Sequence, residues 1–184
     1  MDDEGVIRLL ADTALGEGLS RDELAQLAAR GEVRRVAAAQ VLLREGDVRG
    51  ALLVVLEGEV EVLQQGEGGS HCLVVLGSDS VLGEIGLVRR AAATATVRTT
   101  RPSLVFELER GTFERLLAAG DAVALRLAYN LARVLASRLE RMNEEAVKLC
   151  EKYEQALGEA GEPLGSSRVR DLAAFRTRLS EWSF

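Results

Sequence analysis

Side chains that commonly carry catalysis are sparse in this sequence of 184 residues. His71 is the only histidine, and it stands beside Cys72, so the pair offers at most two adjacent metal ligands without a second pair at zinc spacing. Neighbouring residues of a strand point to opposite faces, which makes joint ligation harder. Paired carboxylates such as Glu144–Glu145 lie in a polar helical context, and the common motifs of hydrolases, P-loop enzymes and zinc proteases do not occur. We therefore expect neither a metal site nor an enzyme.

The predicted secondary structure changes from helices to short strands along the chain. Residues 1–32 show helical spacing of leucines, and Ser20 with Glu23 predicts a capping box at a helix start. Residues 33–120 switch to short apolar runs between glycine turns, which predicts an antiparallel sandwich or roll. The predicted strands are Ala39–Leu43, Leu52–Leu56, Val60–Leu63, Cys72–Leu76, Thr94–Thr99 and Leu104–Leu108.

A long helix is predicted over residues 121–157, with apolar residues alternating three and four apart on a heptad grid. Beyond Arg138 such a helix outruns a compact roll, because 20 residues of helix rise about 30 Å. We expect the helix to form a homodimer, with packing on its own domain as the alternative for its first two turns. The predicted seam consists of Leu125, Ala132, Leu135, Leu139, Met142, Ala146, Leu149 and Tyr153.

The sequence after the long helix predicts a linker over residues 158–167 (GEAGEPLGSS) and an amphipathic helix over 168–184. That helix could fold back on its own chain or bind another protein, and its spacing leaves both open. Its apolar face consists of Leu172, Phe175, Leu179 and Trp182.

Charge and cysteine content restrict the partners and the compartment. With 29 acidic and 23 basic residues the net charge is −6, which argues against nucleic acid because phosphate neutralisation supplies most of that affinity. Cys72 and Cys150 lie far apart in different kinds of segment, so we expect no disulfide. The start, MDDEGVIRLL, lacks the order of a secretory signal, and no apolar run reaches the 18–20 residues of a membrane span. We expect a cytoplasmic protein that contacts no membrane.

Two glycine-containing segments stand about twenty residues apart in the predicted β region. Leu42–Val62, LLREGDVRGALLVVLEGEVEV, combines an E-G-D turn, an apolar strand, an E-G-E turn and an alternating strand. Val81–Arg98 reads VLGEIGLVRRAAATATVR. Together they resemble the cyclic nucleotide-binding domain, whose phosphate-binding cassette is similar to the second segment. Over about residues 10–140 the resemblance implies an α+β fold, a jelly-roll-like antiparallel β-roll flanked by N-terminal helices and a long C-terminal helix, with cAMP or cGMP as ligand.

The resemblance also assigns roles inside the second segment. A short helix after a strand offers N–H groups to a phosphate, a glycine permits close backbone approach, and a glutamate accepts hydrogen bonds from a ribose hydroxyl. The matching ligand-binding positions are Gly83, Glu84, Ile85, Gly86, Leu87, Thr94 and Ala95.

Ala93 stands where the family has its phosphate-binding arginine, ten residues after Gly83 and four before Val97. Losing that charge-assisted pair would cost about 1.5–3 kcal/mol or more, which is a ten- to more than hundred-fold loss of affinity. Arg89 or Arg90 in the preceding loop is a candidate substitute, and solvated loop charge is the other interpretation of both.

Two hypotheses for the function remain. One is a non-catalytic regulatory module that binds a cyclic nucleotide, or another small anion, weakly or with altered recognition. The other is an interaction or scaffold protein that keeps the fold and the dimer without a ligand. A truncated transcriptional regulator fits less well, because a DNA-reading helix-turn-helix domain needs about 40 residues and only residues 159–184 follow the long helix.

Overall fold

The computed structural model describes residues 2–48, 50–66, 68–159, 171–172 and 174–177. Contacts between residues divide the chain into two units, Met1–Ala132 and Arg133–Phe184. No helix of the described residues is long and apolar enough to cross a membrane.

The first unit begins with two helices, α1 (Asp3–Ala11) and α2 (Arg21–Arg30). The predicted capping box is confirmed, since Ser20 Oγ accepts from the N–H of Glu23 and the Glu23 carboxylate accepts from the N–H of Ser20. Leucines of this region, among them Leu10 and Leu27, are fully buried. The helices therefore pack through the apolar positions that their spacing indicates.

Eight strands in the described part of this unit form two antiparallel four-stranded sheets. The sheet orders are β1-β8-β3-β6 and β2-β7-β4-β5. Leu53, Val55 and Val105 of one sheet and Val60 and Val97 of the other belong to a shared buried cluster. The strands are β1 (Glu32–Val36), β2 (Val41–Leu43), β3 (Ala51–Glu57), β4 (Val60–Gly66), β5 (Gly69–Leu76), β6 (Ser80–Leu82), β7 (Thr96–Thr99) and β8 (Ser103–Glu109).

The α+β class with an antiparallel β-roll and a long C-terminal helix is thus confirmed. Two strands, β1 and β6, were not predicted, and Thr94 and Ala95 lie in a bend before β7 rather than in the strand. Two short helices, α3 (Glu84–Arg89) and α4 (Arg110–Ala118), and the long helix α5 (Ala122–Glu159) complete the order of elements.

The start of α5 is bonded to the N-terminal helices. Asp121 accepts two hydrogen bonds from the Arg30 guanidinium, each 2.7 Å long, and one from the N–H of Ala124 at 3.0 Å. Further along α5, buried Asn130 donates to the carbonyl groups of Leu15 (2.9 Å) and Glu17 (2.8 Å). These bonds supply partners for backbone groups that would otherwise be buried unpaired.

Replacing Asp121 with asparagine is expected to lower Tm by about 2–5 °C at pH 7 and to have no effect in acid. The N–H of Ala124, and then Arg30, hold the pKa of the Asp121 carboxyl below its ordinary value of 3.8. A depressed pKa in the folded protein stabilises it above the ordinary pKa, and this contribution is lost as pH falls from about 5 through 3.8 and below. Thermal unfolding of both proteins across that range tests this, and parallel pH profiles would contradict it.

The second unit contains the rest of α5 and a helical stretch over the described residues 171–172 and 174–177. Within this unit, Arg176 donates to the Glu154 carboxylate at 2.8 Å, so this stretch folds back on α5. Cys150 of α5 is buried and, like exposed Cys72, is a free thiol. The helix continues to Glu159, two residues beyond its predicted end, while residues 160–167, Leu179 and Trp182 lie outside the described part of the chain.

Candidate ligand site

The β6–α3 junction depends on Gly83, which has a left-handed backbone with φ +78°. A Cβ atom at this position would lie 2.0 Å from the carbonyl oxygen of Ala51, so α3 begins in close contact with the start of β3. The carbonyl of Gly83 accepts the first helical hydrogen bond, from the N–H of Leu87 at 3.0 Å. Only glycine satisfies both the backbone conformation and the close approach here.

Side chains of α3 divide between the interior and the surface. Glu84 is only 7% exposed, which is unusual for a carboxylate, and Leu87 is also buried. Gly86 is buried, whereas Ile85 is exposed. The first turn of α3 therefore presents its charged residue inward, as a ligand-facing or structural carboxylate would be presented.

The segment that carries Ala93 is fixed by backbone hydrogen bonds to the turn between β2 and β3. The N–H of Ala93 donates to the Asp47 carbonyl at 2.9 Å, and the N–H of Gly46 donates to the Ala93 carbonyl at 2.8 Å. Next to it, the N–H of Glu45 donates to Thr96 Oγ1 at 3.1 Å. Both backbone polar groups of Ala93 are hydrogen-bonded, so the backbone fixes the direction of its side chain.

The two candidate substitutes for the missing arginine differ in their surroundings. Arg90 ends α3 in a left-handed conformation with φ +53°, and its Nε lies 2.9 Å from the Glu114 carboxylate of α4. Arg89 is exposed. Thr94 is exposed and Ala95 half-buried, after Ala93 and before β7.

Arg110, which the sequence analysis did not single out, connects the two parts of this site. Its guanidinium donates to the Val48 carbonyl at 2.6 Å and to the Gly86 carbonyl of α3 at 3.4 Å. Its own N–H donates to the Gly50 carbonyl at 3.3 Å. The loop that binds Ala93 is thereby joined to the cassette helix, so residues 83–87 and 93–95 are held by one common loop.

Chemically, the segment offers backbone polar groups and the buried carboxylate of Glu84. Arg110 is engaged by carbonyl oxygens and Arg90 by a carboxylate. Position 93, whose backbone is fully bonded, carries a methyl group. Among the described residues, no three His, Cys, Asp or Glu side chains form a cluster able to hold a metal ion.

A model of the cyclic nucleotide-binding domain family matches residues 33–119. Glutaminase 1 of Bradyrhizobium diazoefficiens is 34% identical over 131 residues, which make up 71% of this chain and 21% of that enzyme. The chain therefore spans about a fifth of the length of this curated relative.

Solved structures with the same fold include the following two. A cyclic nucleotide-binding domain from Methylobacillus flagellatus superposes with a TM-score of 0.67 at 22% identity, covering 78% of this chain and 81% of that chain. A variant of the regulatory subunit of a cAMP-independent protein kinase A from Trypanosoma brucei, bound to cAMP, gives a TM-score of 0.61 at 22% identity, covering 72% and 46%.

Proposed function

Because residues 33–119 carry a cyclic nucleotide-binding domain, we propose that this chain is a non-catalytic, homodimeric regulatory module with degenerate ligand recognition. It binds cAMP and cGMP weakly or not at all. The family match supports the regulatory role, and the similarity to glutaminase covers too small a part of that enzyme to carry its activity over.

Ala93 is the observation that carries the weak-binding proposal. A bound cyclic phosphate must give up water, and a guanidinium compensates through a bidentate, charge-assisted pair. Neutral hydrogen bonds from the cassette backbone contribute about 0.5–1.5 kcal/mol each, which is less than such a pair. The methyl group at position 93 supplies no charge for the phosphate.

The neighbouring arginines support the same conclusion. Arg90 is paired with Glu114, and Arg110 is bonded to two carbonyl groups, so recruiting either one to a phosphate breaks existing contacts. Arg89 is exposed and would have to leave water. It is the one of the three that a ligand could recruit at least cost in existing contacts.

A structural relative provides a parallel. The Trypanosoma brucei subunit is named as cAMP-independent, and the variant of it that is bound to cAMP carries three substitutions, one of them to arginine. An Ala93→Arg variant tests whether a substitution to arginine has a similar effect in this chain.

The exposed face of α5 supports the homodimer. Large apolar side chains are exposed at the seam positions Leu139, Met142, Leu149 and Tyr153, and Leu149 is 68% exposed. Charged residues such as Glu144 and Lys148 lie off this seam. A seam of this period is covered by a parallel or antiparallel partner helix, and a second copy of the chain supplies one with the same period.

Isothermal titration with cAMP and cGMP at fixed salt tests the ligand part of the proposal. We expect the unmodified chain to bind at least ten-fold more weakly than the Ala93→Arg variant, and the difference can exceed a hundred-fold. The backbone bonds of Ala93 with Asp47 and Gly46 do not involve its side chain, so the substitution adds a guanidinium without changing the backbone path.

Ala92→Arg is the matched control, because it adds the same charge one residue earlier and should leave the affinity unchanged. Tight binding by the unmodified chain would overturn the proposal, and an Arg89→Ala variant would then show whether Arg89 acts as the substitute. No binding by either protein would favour the scaffold hypothesis, since the site would then be lost beyond one residue.

A further inference from the structure

Strand β5 leaves one edge of its sheet unpaired. In the order β2-β7-β4-β5 it is the last strand, and among the described strands it pairs with β4 alone. The backbone groups along its outer side therefore form a row of donors and acceptors available to another strand.

Natural proteins protect such edges with short strands, charged side chains, proline or bulges. The other edge strands of this protein follow that rule. β2 and β6 have three residues each, and β1, EVRRV, carries three charges in five residues. β5 has eight residues, GSHCLVVL, with no proline and no acidic or basic side chain other than His71. Its one protective feature is a bulge at Leu73, where the register with β4 shifts.

The side chains of β5 are apolar and exposed. Leu73 is 57% and Val75 is 52% exposed, and Val74 between them is also exposed. An edge strand that exposes three consecutive large apolar residues offers hydrophobic area in addition to backbone hydrogen bonds.

The distribution of charge favours a second copy of this chain as the partner of the β5 edge. The whole chain is 28% charged with a net charge of −6, so most surfaces of two copies repel each other. Residues 63–76, LQQGEGGSHCLVVL, contain a single acidic residue, Glu67, and no lysine or arginine. On this hairpin two identical molecules can meet without like-charge repulsion, and an antiparallel strand pair satisfies the two-fold symmetry of such a contact.

We propose that β5 pairs antiparallel with β5 of a second copy, joining two four-stranded sheets into one. This interface is separate from the α5 seam and does not depend on it. Two-stranded pairing is marginal in water, so the association is weak and requires concentrations of about 100 µM or more.

Sedimentation velocity in a Leu139→Glu/Leu149→Glu background, in which the α5 seam is disrupted, isolates this interface. At about 300 µM we expect a reversible dimer, which adding Leu73→Lys and Val75→Lys weakens more than ten-fold because edge lysines oppose strand pairing. Ala38→Lys with Gln40→Lys is the matched control, with the same added charge on exposed positions outside residues 63–76, and should leave the dimer intact.

Cross-linking then identifies the occupant. In a Cys150→Ser version of the same background Cys72 is the only thiol, and pairing centred on Leu73, the most exposed of the three apolar residues, places its two copies within about 10 Å of each other. A short bis-maleimide should join them at high concentration, and the two β5 lysines should abolish the product. Circular dichroism verifies that each variant is folded. A monomer at 300 µM, equal weakening by both lysine pairs, or a dimer without Cys72 cross-linking would each overturn the proposal.

Discussion

Replacing Gly83 with alanine is expected to lower the free energy of unfolding by about 3 kcal/mol, a large change for a single methyl group. Two effects add. A left-handed backbone costs an L-residue about 1–2 kcal/mol, and φ at Gly83 is +78°. The new Cβ would also lie 2.0 Å from the Ala51 carbonyl oxygen, which belongs to the backbone of β3 and yields little.

Gly46→Ala separates the two effects. Gly46 has nearly the same conformation, φ +83°, but a Cβ there would meet nothing within 4 Å. It should therefore lose about 1–2 kcal/mol, from the backbone conformation alone. Urea unfolding of the two variants gives the difference, which measures the contact between the cassette and β3. Equal losses of unfolding free energy in the two variants would show that the segment at Gly83 moves away from β3 without destabilising the protein.

Sequence periodicity identified the buried strands because their apolar residues are packed on both sides. β3 is one continuous apolar run, and it was predicted to within one residue at each end. β1 was missed because EVRRV carries charges on an edge strand whose residues stay partly exposed. β6 was missed because three residues are too few for a period, and its strand pairing with β3 is a long-range contact.

The candidate site shows the same division. Gly83, Glu84 and Ala93 could be located because their residue types and their fixed spacing are visible in the sequence. Arg110 could not, because its bonds to Val48 and Gly86 join loops that are distant in the chain and follow no local pattern. Whether any of these residues contacts a ligand stays a prediction, which the Ala93→Arg titration tests.

These contacts also show that the local fold does not depend on the side chain at position 93. Ala93 is held through its backbone by Asp47 and Gly46, and the same loop is bonded by Arg110. None of these bonds uses the side chain at position 93. A substitution at position 93 is therefore expected to leave the backbone of this segment unchanged.

Placing glutamate at both Leu139 and Leu149 is expected to convert the proposed homodimer to monomers at about 10 µM, a concentration too low for β5 pairing. Both side chains are exposed in the single chain and lie on the α5 seam, so a partner helix would bury them. An unpaired carboxylate in a dry seam costs several kcal/mol, and two copies of each residue meet across the interface. Light scattering coupled to size exclusion gives the molecular mass directly.

Ser137→Glu with Gln155→Glu adds the same negative charge to exposed positions off the seam, and this control should remain a dimer. The comparison separates loss of the seam from general repulsion in a protein whose net charge is already −6. If the unmodified chain is already a monomer at 10 µM, the homodimer is wrong. If both double variants become monomers, charge and not the heptad seam controls the assembly.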